Sequence, residues 1–224
     1  VSIRFPNVFS CTGRSLLFDE PDPVDFRALA GPGVPADLIE RLVARRFVVT
    51  TSQVESTTSA QHSIRFAETI VKVPVHWGGE DFLFPVVTFV DNEHSLIRGY
   101  LLGFHKVFAA PQAGTDGLVL QAGDLALDLR AEPGPADWAS PDIPPEHGYP
   151  FLLWTDYSLA PGVSSHGYRR LTTESYTRHS VSAMRPAHPE QRIAGRQVTA
   201  RMMYEIRDSF VLTGSVPAQV EAHA

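Results

Sequence analysis

Residues 64–75, IRFAETIVKVPV, followed by Gly78-Gly79 and the run FLFPVVTFV at 82–90, decide how this chain folds. In the first run Phe66, Glu68, Ile70 and Lys72 fall on one face of an extended ribbon and Ala67, Thr69, Val71, Val73 and Val75 on the other, because successive strand side chains point to opposite sides. The second run is rich in Val and Phe, and the glycine pair between the two is turn chemistry, so the whole reads as a β-hairpin.

Downstream, Asp91 offers an N-cap oxygen, and Leu96, Ile97, Tyr100, Leu101 and Phe104 recur at helical spacing until Gly103 interrupts. A helix of about three turns fits, with Lys106 just past its C-terminus. Further strands are expected at 118–120, 125–131, 151–159, 168–184 in two pieces, and 198–206. Residues 131–150 hold six prolines and read as a long irregular loop, and 35–46 has weak helical character with Leu38, Leu42 and Val43 on one side. No internal repeat is evident. The fold class is therefore α+β dominated by antiparallel sheet.

The chain has 224 residues, 43% hydrophobic and 20% charged, as expected of one globular domain spanning 1–224 with a sizeable core. A net charge of -6 without a lysine-rich patch gives no electrostatic reason to expect nucleic acid or an anionic membrane as partner, which leaves a small molecule. No run approaches the roughly 20 apolar residues of a bilayer span, and no charged-then-hydrophobic leader opens the sequence, so a cytoplasmic protein is expected. Cys11 is the one cysteine and is expected to be structural. No H-E-x-x-H, cysteine cluster, nucleophile elbow around Ser164-Ser165-His166 or phosphate-cradling glycine loop occurs, so neither a metal nor a cofactor is expected.

Against 17 arginines stand two lysines, Lys72 and Lys106. Only an amine can lose its proton near neutral pH and attack a carbonyl, so Lys106, in the apolar run GFHKVF at 103–108, is the first candidate for chemistry. The alternative is a snorkelling lysine whose stem covers a hydrophobic edge. Activation to near neutrality needs roughly 4 to 5 kcal/mol against the charged form. Phe104, Val107 and Phe108 would supply apolar surroundings, and His105 a positive charge when protonated. Imine chemistry also needs a proton shuttle. Glu68 shares its strand face with Phe66 and Ile70, where a charge is out of place unless paired or functional, and the alternative is a solvent-facing carboxylate. Lys72 lies about 13 Å further along the strand and is expected to be a solvated residue.

These residues carry a resemblance. Phe66-Ala67-Glu68-Thr69, Val73-Pro74-Val75, Phe89-Val90-Asp91-Asn92-Glu93, Gly99 and Gly103-Phe104-His105-Lys106 are similar to the central part of the acetoacetate decarboxylase superfamily. In that family a glutamate precedes a (V/I)-P-V strand, a (Y/F)-(V/L)-D-(N/S) turn follows, and G-R-E-x-x-G-(F/Y)-P-K-K delivers a Schiff-base lysine activated by a neighbouring cation. Here G-R-E is Gly99-Tyr100-Leu101, the proline is His105, the second lysine is Val107, and the helix is one residue shorter. Keeping the Gly103-Phe104 register puts Lys106 at the Schiff-base position; reading ungapped from Gly99 puts Val107 there.

The resemblance implies a double β-barrel (cone) with few helices, no cofactor and a homo-oligomer. It also implies a Schiff-base lyase acting on a keto acid or other apolar organic substrate, by default decarboxylating a 3-oxo acid. Lys106 would be the nucleophile and Glu68 the proton shuttle, with Tyr100, Phe104, His105 and Phe108 around the substrate. The family's early carboxylate-binding arginine would fall on Arg14, whose alternative is a surface arginine. Aldol, dehydration or cyclisation chemistry in a biosynthetic pathway, or non-catalytic binding on the same fold, are the other readings.

Overall fold

The computed structural model describes residues 5–58, 62–109, 112–114, 117–123, 125–132, 145–156, 158–160, 163–164 and 167–218. In chain order these form β1 (Asn7–Asp25), a 3-10 turn (Arg27–Leu29), α1 (Ala36–Ile39), β2 (Val43–Thr58), β3 (Ser63–Trp77), β4 (Glu80–Val90), α2 (Glu93–Leu102) and β5 (Lys106–Phe108). They continue as β6 (Gln112–Gly114), β7 (Gly117–Ala122), β8 (Leu125–Asp128), a 3-10 turn (Pro145–Gly148), β9 (Leu152–Thr155), β10 (Ser158–Ala160), β11 (Val163–Ser164), β12 (Gly167–Met184), β13 (Glu190–Ile193) and β14 (Arg196–Pro217).

The hairpin β3–β4 forms where the alternating runs place it. Lys72, however, is buried at 6% exposure, which corrects the expectation of a solvated strand residue. The helix also forms, but its N-cap is Asn92, whose Oδ1 accepts from the Ser95 N–H at 3.1 Å. Asp91 instead turns back and accepts from the Ala67 N–H at 2.7 Å. It thereby pins β3 one residue before Glu68. The helical character of 35–46 shrinks to the single turn of α1, because the chain enters β2 at Val43.

Two long strands, β1 and β2, carry no expectation above. Ser15, Leu16, Leu17 and Phe18 are all buried, as are Phe47, Val48 and Val49. A strand covered on both faces loses the period-2 signal that would announce it. The 168–184 segment is one strand broken by register shifts, with Ser175 at φ 53. Of the proline-rich 131–150 stretch, residues 133–144 lie outside the described residues, as do Ser165 and His166.

One sheet runs β5-β4-β3-β2-β1-β14-β13-β8-β7-β6, antiparallel except for β4 with β5. β14 also pairs with β12 and β12 with β9, while a bridge from Phe151 to Leu83 leads from the start of β9 back to β4. The ring β4-β3-β2-β1-β14-β12-β9 thus curls closed, and β13, β8, β7 and β6 extend the N-terminal half of β14 into a second curved lobe. This is the cone-like barrel that the resemblance implies.

The main apolar core lies on one face of the ring. Leu16 stands between Val49 and Met203, and Val49 faces Val71 in turn, all fully buried. Phe18 and Phe47 stack at 4.6 Å, with Phe26 edge-on to Phe47 at 4.8 Å. Each such side chain contributes about 2 kcal/mol on burial. The opposite face of the same sheet carries Glu68, Ile70 and Lys72 from β3 and Lys106 from β5, with Ser95 of α2 against Lys106.

Candidate active site

The short path from α2 into β5 sets Lys106. Gly103 adopts φ 102, its N–H bonds the Tyr100 carbonyl and the Phe104 N–H the Gly99 carbonyl, both at 3.0 Å. This Schellman closure needs a residue tolerant of the left-handed region, which glycine is. The chain then runs parallel to β4, with Lys106 beside Thr88 and Val107 beside Phe89. Because side chains alternate, Val107 packs into the main core and Lys106 projects to the other face. Of the two registers open in the sequence, it is therefore Lys106 that reaches Glu68.

Lys106 Nζ donates to Glu68 Oε2 at 2.6 Å and to Ser95 Oγ at 3.1 Å. Its side chain is 6% exposed and that of Glu68 18%. The amine stands 5.7 Å from the ring centroids of both Phe66 and Phe104, within cation–π range of each. Ion pair, hydroxyl and two rings together hold the amine in one place with little water.

Helix α2 shapes the slot. Its two buried residues are Ser95 and Gly99, one turn apart and so on one face. A Cβ built on Gly99 would stand 2.0 Å from Lys106 Cε and 2.4 Å from Cδ. Gly99 is thus the gap through which the lysine stem passes. Gly99→Ala is expected to expel Lys106 from Glu68 and lower any amine-dependent rate at least about tenfold, while helix propensity itself improves by up to about 1 kcal/mol. Activity together with thermal unfolding measures both; unchanged activity would show that the stem has another route. Ser95 was not singled out in the sequence, although its i, i+4 relation to Gly99 is the signal that could have found it.

The other expected site residues divide. Phe104 is at the amine, and its ring meets Phe151 edge-on at 5.6 Å. Tyr100, Phe104 and His105 line a neighbouring cleft of about 230 Å³ with Gly31, Trp154 and Asp156. Tyr100 is 58% exposed and Phe108 55%, so neither walls the amine from water. Burial lowers the His105 imidazole below its usual range, which works against the positive charge expected of it beside Lys106. Arg14 pairs across the sheet with Thr51, whose partner is Thr69, and so sits on the face opposite Glu68. There its guanidinium bonds Glu205 at 3.4 Å and the Leu129 carbonyl at 3.3 Å.

On the Glu68 face of β3 the structure buries a second amine. Lys72 Nζ donates to Thr50 Oγ1 at 2.6 Å, and Thr50 Oγ1 lies 2.8 Å from Ser15 Oγ. Burial lowers the Lys72 amine to about 8, against the opposing pull of Glu68 and Asp208. A base whose folded pKa is depressed carries its full penalty below pH 8. Between about 8 and 10.5 the unfolded chain binds a proton that the folded chain has lost, so stability rises with pH. That rise is on the order of 3 kcal/mol. Urea unfolding across this window is expected to show it in the wild type and to lose it in Lys72→Met; parallel slopes would contradict the assignment.

Among the described residues no three His, Cys, Asp or Glu side chains converge as metal ligands, and no helix is long and apolar enough to cross a membrane. Burial, with Asp208 and Glu68 nearby, raises the Cys11 thiol well above its usual range, so it is held protonated.

A barrel of this topology with a buried lysine–glutamate pair defines a class, and the sequence supplies its family. Residues 41–197 match the family model of acetoacetate decarboxylase, and the chain belongs to that family. The structure is similar to that of an acetoacetate decarboxylase-like enzyme from Sphingomonas wittichii RW1, with TM-score 0.65 and 15% identity over 98% of this chain and 95% of that one. It is similar to acetoacetate decarboxylase from Legionella pneumophila, with TM-score 0.61 and 16% identity over 97% and 89% of the two chains. It is also similar to the enduracididine biosynthesis enzyme MppR complexed with pyruvate, with TM-score 0.61 and 12% identity over 96% and 91%. At these identities the likeness concerns the fold. Comparison with curated protein sequences gives no match.

Proposed function

We propose that this protein is a Schiff-base-forming lyase that acts on a keto acid through Lys106. The observation that carries the reading is the 2.6 Å contact between the Lys106 amine and the Glu68 carboxylate, with the lysine side chain only 6% exposed. Glu68 is placed to take a proton from the ammonium, freeing the lone pair that attacks the ketone carbon. Glu68 would return that proton to the carbinolamine oxygen as water leaves, giving an iminium on Nζ.

In a 3-oxo acid the electrons of the C–C bond to the carboxylate then move into the iminium. Carbon dioxide departs and an enamine remains. Protonation at carbon and hydrolysis restore the amine and release the ketone. Phe66 and Phe104 exclude water while the amine is engaged.

Addition of the same enamine to an aldehyde is a second reading. It is favoured by the similarity to MppR, also solved with the condensation product of pyruvate and imidazole 4-carboxaldehyde. Both readings pass through an enamine, and a non-catalytic binder does not. In D2O the protein is expected to place deuterium on the carbon next to the carbonyl of pyruvate or acetone and to release carbon dioxide from a 3-oxo acid. Absence of both, with ligand bound, would make the protein a binder.

A further inference from the structure

The chain keeps two lysines and buries both amines, yet the chemistry above uses one. Lys72 and Glu68 share a face of β3 with Ile70 between them. Ile70 stands in a transverse row across the sheet, flanked on one side by Thr88 and then Lys106, and on the other by Thr50, Ser15 and Tyr204. Lys106 leans from this row to Glu68, and Lys72 leans into it to Thr50. The two amines therefore flank Ile70 on one surface, one held by a carboxylate and the other by a neutral hydroxyl.

A buried ammonium is costly unless an anion compensates it. Thr50 Oγ1 takes one of the three Lys72 protons and leads on to Ser15. Beyond Ser15 stands the fully buried hydroxyl of Tyr204, whose ring meets that of His147 edge-on at 5.9 Å. The charged groups that act on Lys72 are Glu68 from its own strand and Asp208 from β14, and no close ion pair with either forms. A buried ammonium held by a neutral hydroxyl, on the same surface as the reactive amine, is a cation that a carboxylate would compensate.

We propose that Lys72, with Thr50 behind it, anchors the carboxylate of the keto acid whose carbonyl is presented to Lys106, the role that the family resemblance would give Arg14. The proposal rests on the Lys106 reading for its substrate but not for its anion. Lys72 is thus a binding residue that sets specificity for acids over neutral ketones.

Two measurements test it separately. Borohydride trapping is run with pyruvate, acetoacetate and 4-oxopentanoate, each beside its methyl ester, on wild type and Lys72→Met. The wild type is expected to prefer acid to ester for at least one chain length by about ten- to a hundredfold in the half-saturating concentration, and Lys72→Met to abolish that preference. An acid preference that survives in Lys72→Met, or an adduct on Lys72 itself, overturns the proposal.

Independently, protein labelled with 15N-lysine is titrated with 3-hydroxybutyrate, which has a carboxylate and no carbonyl. The Lys72 Nζ resonance is expected to shift and its titration midpoint to rise; an unresponsive Lys72 overturns the proposal even if Lys72→Met does not fold. If no carbonyl compound is trapped but 3-hydroxybutyrate moves Lys72, the anion site stands and the imine chemistry of Lys106 falls.

Discussion

Replacing Lys106 by arginine is expected to abolish keto-acid turnover, by on the order of 10⁴-fold or more, and to leave the fold intact. Arginine keeps the positive charge and can still meet Glu68, but its guanidinium does not condense with a ketone. The Schellman closure at Gly103 and the parallel pairing of β5 with β4 use backbone groups alone, so they do not depend on the Lys106 side chain. The longer side chain must still pass Gly99, and circular dichroism together with thermal unfolding checks that it does. Retention of more than a small fraction of the rate would show that the chemistry does not pass through this amine.

Glu68→Gln is expected to cost about 10²- to 10⁴-fold in turnover. Glutamine preserves the shape and can still accept from the Lys106 amine, but it cannot take a proton from it or deliver one to carbon. The adduct trapped on Lys106 should still form, more slowly, because the nucleophile remains. Loss of turnover with the adduct retained therefore separates a proton shuttle from a merely structural partner. Equal turnover in the two proteins would remove Glu68 from the mechanism.

The hairpin and the helix that frame this site were legible because each obeys a single period. In β3 the odd-numbered residues from Ala67 to Trp77 are buried in the core, and the even-numbered ones carry the site. Gly103 ends α2 where a left-handed residue was needed. The lysine–glutamate pair was legible too, because lysine is rare in this chain and a carboxylate on an apolar strand face needs a reason.

Other features were illegible for physical causes. β1 and β2 are buried on both faces where they cross the centre of the sheet, so alternation vanishes there. The burial of Lys72 could not be read from β3 alone, since the hydroxyls it reaches, Thr50 on β2 and Ser15 beyond it on β1, are distant in sequence. Arg14 was misplaced by one residue of parity: its neighbours Gly13 and Ser15 are on the site face, and a shift of one turns an arginine to the other side of a sheet. Ser95 was hidden because a serine in the first turn of a helix reads as capping chemistry, which its N–H does serve through Asn92.

The most direct test of the whole account is the position of the trapped amine. After reduction with borohydride in the presence of acetoacetate or pyruvate, proteolysis and mass spectrometry assign the adduct to one of two lysines that lie 34 residues apart in the sequence. The account predicts a single alkylated amine, at Lys106, absent from Lys106→Arg. An adduct at Lys72, or none with any carbonyl compound that binds, would contradict it.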